Sequence, residues 1–185
     1  MAYKAIDIAR WFLSRNNRAK EFEGADDMTL LNLMRLCYYA EGCSLALDRG
    51  SLFDEDILAW EFGAAVLEIY DAYDDPCHLP FGSDEDYAAV EKISSDDKAL
   101  LEEVYRTFAQ YSPWYLREMN RGETPWLEAT QNGTTFPREN PYCPPNGIIS
   151  RDTMKDYFKA NYVGEPTKES EPPPKTRNPR KIKPK

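Results

Sequence analysis

Proline is absent from the first 75 positions of the chain, although the sequence of 185 residues contains 14 prolines. Proline interrupts helices because it lacks an amide donor and clashes with the preceding turn, so this stretch permits long continuous helices. Apolar residues recur there at helical spacing, first at Ile6, Ala9, Phe12 and Leu13 and then throughout residues 30–47. The pattern predicts a first helix that ends near residues 16–17. It also predicts a second helix that is central and buried, because residues 30–47 are apolar around most of their circumference.

Helix start signals recur along the rest of the body. Asp26, Asp27 and Thr29 offer capping oxygens to the second helix, and later starts are predicted at Ser83, at Ser94 with Ser95 and Asp97, at Ser112 before Pro113, and at Ser150. Residues 52–62 lack a helical stripe and predict a short β-hairpin-like segment. Residues 131–147 hold four prolines and predict an ordered irregular loop. The sequence therefore predicts a mainly α fold, a single domain of about seven helices spanning residues 1–165.

The charge divides the chain into two parts. From residue 166 to the end there are seven basic and two acidic residues, a net +5, whereas the whole chain carries −9, so residues 1–165 carry −14. The segment 166–185 is rich in proline and has one large aliphatic residue, Ile182. It cannot bury enough surface to offset the entropy of ordering, and we predict a disordered tail. A basic tail can contact nucleic acid or an acidic partner, or only improve solubility.

Composition excludes several classes of protein. No apolar run approaches the roughly 20 residues that span a bilayer, and the first 13 residues carry three charges, unlike a secretory signal. The four cysteines form no closely spaced pair, and the single histidine, His78, has no metal-ligand spacing with them. We therefore expect a cytoplasmic protein with reduced thiols, no membrane association and no metal. Motifs for a catalytic nucleophile or a phosphate-binding loop are absent, which argues against an enzyme.

Aromatic residues are more abundant than the helix faces require. The chain has four tryptophans, twelve tyrosines and eight phenylalanines, and Trp60, Trp114 and Trp126 lie at predicted element ends or loops. Tryptophan, tyrosine and arginine contribute much of the binding energy at protein interfaces. The alternative is that each tryptophan fills the core at a helix junction.

Five stretches, in order, resemble the Panacea-domain antitoxins, also known as phage-associated GepA-like proteins. The segment Ala59-Trp60 with Gly63 is the most distinctive, and the resemblance covers about residues 3–160. Two places depart from the family pattern: Gly63-Ala64-Ala65-Val66 stands where the family usually has Gly-Pro-Val, and Asn120-Arg121 stands where it usually has Thr-His. The stretches that carry the resemblance are Ala5–Leu13, Met28–Gly42, Leu52–Tyr70, Tyr111–Trp126 and Ile149–Phe158.

The resemblance implies a helical fold with a short β element, no cofactor and no known catalytic residues. Its members typically neutralise a protein toxin by direct contact, and one group is thought to deliver the toxin to a protease. We therefore expect an antitoxin whose partner is a cognate protein toxin. A proteolytic adaptor, a nucleic-acid-binding regulator that acts through the tail, and an uncharacterised enzyme are the alternatives. The candidate partner contacts, with core packing as the competing explanation, are Arg35, Tyr38, Trp60, Glu61, Trp114, Asn120, Arg121 and Trp126.

Overall fold

A computed structural model describes residues 2–131 and 147–163 of the chain. Helices dominate these residues, as the sequence predicts, and the described strands form one antiparallel hairpin. Within the described part of the chain the helices are α1 (Ala5–Phe22), α2 (Leu30–Ala46), α3 (Leu67–Asp71), α4 (Asp84–Lys92), α5 (Ser95–Phe108), α6 (Pro113–Gly122), α7 (Thr124–Ala129) and α8 (Arg151–Asn161). The strands are β1 (Leu58–Trp60) and β2 (Gly63–Ala65), paired with Trp60 opposite Gly63.

Side-chain caps fix most of the helix starts. The hydroxyl of Thr29 accepts a hydrogen bond from the Asn32 amide at 3.3 Å, so α2 begins where the sequence predicts. Ser83 and Asp86 form a reciprocal capping box at α4. The remaining predicted caps, Ser94, Ser112 and Ser150, accept hydrogen bonds from amides in the first turns of α5, α6 and α8.

Helix α2 is the centre of the fold. Every residue from 33 to 46 is buried, because α1, α5, α6, α8 and the hairpin all pack around it. The sequence prediction of a central buried helix is therefore confirmed. The prediction for α1 was too short: the helix continues from residue 17 to Phe22, and Asn16 lies inside it with its side chain bonded to the Asp26 carbonyl and the Tyr105 hydroxyl.

Other boundaries also differ from the sequence prediction. The hairpin strands start at Leu58, six residues later than the predicted segment 52–62, and α7 follows α6 as a separate short helix that the sequence analysis did not predict. The predicted loop 131–147 falls largely outside the described residues, and the predicted tail 166–185 lies entirely outside them. None of the helices in the described ranges combines the length and apolar character that a bilayer crossing requires.

Candidate protein-interaction site

The structure separates the eight candidate contact residues into an interior set and a surface set. Arg35, Tyr38, Asn120 and Trp126 are at most 2 % exposed, so their side chains organise the fold. The tryptophan ring of Trp114 is 67 % exposed, Glu61 is exposed, and Trp60 and Arg121 are partly buried. Only the second set can contact a partner directly. The first set lies beneath that surface and determines its shape.

A buried carboxylate, Glu123, connects three elements of the interior. It lies between α6 and α7 and is 2 % exposed. Tyr38 donates a hydrogen bond to its Oε2 at 2.7 Å, and Tyr39 donates to its Oε1 at 3.1 Å. Tyr162, just after α8, donates to Oε1 at 2.6 Å, and Asn120 Nδ2 donates to Oε2 at 3.3 Å. This single side chain therefore joins α2, the α6–α7 junction and the end of α8.

The electrostatics of this cluster follow from its burial. Desolvation raises the pKa of Glu123 to about 7, and the hydrogen bonds from Tyr162, Tyr38, Asn120 and Tyr39 only partly oppose that effect. Burial also raises the pKa of Tyr38, Tyr39 and Tyr162 well above the usual value for a phenol. The carboxyl thus titrates near neutrality, while the phenols that surround it keep their protons.

Two buried side chains hold the hairpin against α6. Asn120 Oδ1 accepts a hydrogen bond from the Ala64 amide at 2.5 Å, and Arg35 donates from Nη1 to the Ala64 carbonyl at 2.6 Å. Trp126 Nε1 donates to the Trp60 carbonyl at 3.0 Å. Both polar groups of the Ala64 peptide are thereby satisfied by side chains from outside the sheet.

Gly63 is the residue that allows this close approach. Its φ of +104° lies in the region that disfavours side chains, and a Cβ there would stand 2.8 Å from Arg35 and Asn120 side-chain atoms. The glycine of the Ala59-Trp60-x-x-Gly63 segment is therefore required by the packing of α2 and α6 on the hairpin. This gives a physical reason for the most distinctive part of the sequence resemblance.

The free edge of β1 is covered by a later part of the chain. The Ala59 amide donates to the Gly147 carbonyl, and the Ile149 amide donates to the Ile57 carbonyl at 2.8 Å. Leu58 and Ile148 form an antiparallel bridge. The edge of β1 is therefore occupied. The turn of the hairpin, Glu61-Phe62, is exposed, and Phe62 is 55 % exposed.

An aromatic and cationic stripe runs along α6 toward α7. Trp114, Arg117 and Arg121 are spaced at i, i+3 and i+7, which places them on one helix face. The guanidinium carbon of Arg117 lies 4.8 Å from the centre of the Trp114 ring, and that of Arg121 lies 5.1 Å from the Trp126 ring. The turn residue Phe62 leads directly into β2, and β2 packs on α6. We call Phe62, Trp114, Arg117 and Arg121 the α6 patch.

The arginines of this region have fewer acidic partners than those elsewhere. Among the described residues Arg117 pairs with Glu118 at 2.6 Å, whereas Arg35 and Arg121 have no ion pair. The Nε atoms of all three are enclosed without a hydrogen-bond acceptor in the described part of the chain. Burial, reinforced by the nearby Arg117, lowers the pKa of Arg35 to about 10. Arg121 is therefore a partly buried cation without a carboxylate partner in the described part of the chain.

Several residues of this site carry little signal in the sequence. Glu123 precedes Thr124 and Pro125 at a helix start, where an acidic residue is usually a solvated helix-terminal charge. Glu41 was detectable, because a charge in the middle of an apolar helix indicates a buried partner. That partner is Arg151 of α8, whose Nε lies 2.9 Å from Glu41 Oε1. The local sequence pattern cannot predict a pair whose members are 110 positions apart in the chain.

Other residues considered for chemistry lie elsewhere. Cys37 and Cys43 are buried, and burial raises the pKa of both thiols, that of Cys43 to about 12. Cys77 and His78 are exposed in the turn after α3. Within residues 2–131 and 147–163 no three side chains of His, Cys, Asp or Glu come together as a metal-ligand set.

A comparison with known families identifies the domain. The fold and the buried network are those of a helical domain built around α2 and a short hairpin. The profile of the family described as "Antitoxin SocA-like, Panacea domain" matches residues 33–127, which include all eight candidate residues. The chain therefore belongs to the SocA-like antitoxin family with a Panacea domain, and its general role is that of an antitoxin. No curated protein and no solved structure matches the chain.

Proposed function

We propose that the protein neutralises one cognate protein toxin by binding it directly. Family membership is the observation that carries the proposal, because the matched residues 33–127 span the hairpin and α6 with its exposed Trp114. A stable protein interface buries about 1,600 Å² in total, and a domain of this size can supply its share. The proposal involves no chemical step.

The rigid mounting of the surface supports a binding role. Asn120, Arg35 and Trp126 fix the hairpin to α2, α6 and α7 through buried hydrogen bonds. A surface held in one conformation loses little entropy on binding. The negative charge of residues 1–165 can also speed the encounter with a basic partner.

Co-expression with the product of the adjacent reading frame tests the proposal. We expect the neighbouring protein to arrest growth when expressed alone, and this chain to restore growth and to co-elute with it in size-exclusion chromatography. A toxic neighbour that is not relieved would contradict the proposal. Relief without a complex would contradict direct binding.

The toxin level in the same cultures separates neutralisation by occlusion from delivery to a protease. If the chain only occludes the toxin, the amount of toxin on an immunoblot stays constant while growth recovers. If it acts as an adaptor, the toxin disappears in wild-type cells and persists in cells that lack the responsible protease. The proposal of stable neutralisation expects the first result.

A further inference from the structure

The α6 patch combines the features of an interface hot spot. Trp114 is 67 % exposed and its ring lies 4.8 Å from the guanidinium carbon of Arg117. Phe62, in the turn before the strand that packs on α6, is 55 % exposed. Tryptophan and arginine are the residues most enriched at interface positions that dominate binding. Other exposed aromatic residues, such as Phe22 on α1, lack this combination with arginines stacked on indole rings.

The charge of the patch identifies the chemistry of the partner. Most other arginines of the described residues are ion-paired: Arg10 with Asp86, Arg15 with Glu102, Arg49 with Asp97. In the patch, Arg121 has no carboxylate partner among the described residues, and behind it Arg35 is buried without one. The Nε donors of Arg117 and Arg121 also lack acceptors within the described ranges. These Nε atoms are enclosed, so a partner would meet the terminal nitrogens of Arg121, which have no carboxylate in the described part of the chain and can pair with one that a partner brings.

We propose that the α6 patch is the docking surface for a segment of the toxin that carries Asp or Glu beside an apolar side chain. The carboxylate accepts hydrogen bonds from the guanidinium group of Arg121, and the apolar side chain packs on Trp114 and Phe62. This inference rests on the proposed toxin-binding function and names the contact surface for it. Electrostatics then acts at two distances. At long range the negative body attracts a basic partner, and at short range the arginines of the α6 patch fix the partner's orientation.

Binding of the co-purified toxin to matched variants tests this inference. We expect W114A and R121E each to weaken binding in surface plasmon resonance by at least about tenfold. The matched controls are F22A, which removes an aromatic residue 72 % exposed on α1, and R106E, which reverses an arginine 66 % exposed on α5. Both controls should bind like the wild-type chain. Circular dichroism melting curves should show that all four variants remain folded.

The outcomes distinguish this inference from the broader function. If the wild-type chain fails to bind the toxin, the proposed function itself is wrong. If the wild-type chain binds and W114A and R121E bind equally well, the function stands and the docking surface is wrong. Replacing acidic toxin residues with lysine should restore affinity for R121E in at least one case, and failure of every such replacement would contradict an acidic partner segment. A short DNA duplex bound as tightly as the toxin through the same residues would overturn the proposal as well.

Discussion

At the scale of single residues, the molecule depends on buried polar groups whose partners come from distant parts of the chain. Glu123 accepts hydrogen bonds from Tyr38, Tyr39 and Tyr162, and these tyrosines belong to segments more than 120 residues apart. Such a cluster is favourable only when every member is satisfied. It therefore specifies one packing of α2, α6, α7 and α8 more strongly than apolar contacts alone would.

The titration of Glu123 makes stability depend on pH. Its folded pKa of about 7 exceeds the ordinary value of 4.5, so the folded chain binds more protons than the unfolded chain between these values. The resulting stabilisation is fully present below about pH 4.5 and is lost as the pH rises through about 7. The pKa difference corresponds to roughly 3 kcal/mol.

The variant E123Q should remove most of that pH dependence. We expect the free energy of unfolding of the wild-type chain, measured by urea denaturation, to fall between pH 5 and pH 8 relative to that of E123Q. Comparison of the two chains cancels the contributions of Glu41, whose pKa is also raised, and of Asp86, Asp97 and Glu102, whose pKa values are lowered. Parallel curves for the two chains would show that Glu123 does not titrate in this range.

At the scale of secondary-structure elements, α8 is held on α2 by close packing and by an ion pair. Gly42 allows the packing, because a Cβ at this position would lie 2.4 Å from two ring carbons of Phe158. The ion pair joins Arg151 to Glu41, whose side chain is completely buried. Arg151 also donates to the carbonyls of Phe53 and Glu55 at 3.0 and 2.8 Å.

Adding a methyl group at Gly42 should separate α8 from α2. We expect G42A to lower the free energy of unfolding by about 1–3 kcal/mol, because overpacking forces Phe158 to move. G122A is the matched control, since it adds the same methyl group to a helical glycine with no atom within 4 Å. This control should be neutral or slightly stabilising, because alanine favours helix. Equal stabilities of the two variants in thermal melts would contradict the close contact.

Removing the charge on Arg151 should leave Glu41 buried and unpaired. We expect R151M to cost about 3–5 kcal/mol in urea denaturation, and the double variant E41Q/R151M to recover part of that loss. In the wild-type chain burial raises the pKa of Glu41, and Arg151 opposes that rise. Without Arg151 the buried carboxyl is stable only when protonated, so the loss of stability should grow as the pH rises. A double variant no more stable than R151M alone would show that the cost comes from lost packing.

Local sequence signals were sufficient for most helix starts but not for α7, for the end of α1 or for the contacts between elements. Ser83, Ser94, Ser112 and Ser150 mark helix starts because a cap needs only neighbouring backbone. The end of α1 was placed too early because Asn16, which is usually exposed, is buried by bonds to Asp26 and Tyr105. Of the candidate site, Trp114 and Glu61 are exposed and Trp60 and Arg121 are partly buried. The burial of the other four, Arg35, Tyr38, Asn120 and Trp126, depends on tertiary packing.

At the scale of the whole molecule, the fold uses more residues than the family profile matches. The match ends at residue 127, yet Arg151 of α8 pairs with Glu41, and Tyr162, just after α8, donates to Glu123. The working unit therefore includes residues beyond the matched region. The boundary at residue 165 and a tail after it stay predictions.

Two shortened chains test the size of that unit. A chain that ends at residue 165 should melt at the same temperature as the full chain, because every described contact lies before that position. A chain that ends at residue 146 lacks α8 and leaves the carboxylates of Glu41 and Glu123 without Arg151 and Tyr162. We expect it to lose its cooperative melting transition in differential scanning calorimetry. A cooperative transition at the original temperature would show that α8 is dispensable.

The position of Arg151 and Tyr162 in the chain has a consequence for synthesis. Both side chains complete networks that begin at residues 38–41, so we expect the core to close only after the ribosome has translated the last helix. Newly made protein becomes able to fold only when that helix has emerged from the exit tunnel. We expect a messenger RNA cut short before α8 to yield a product that does not fold and that chaperones and proteases recognise.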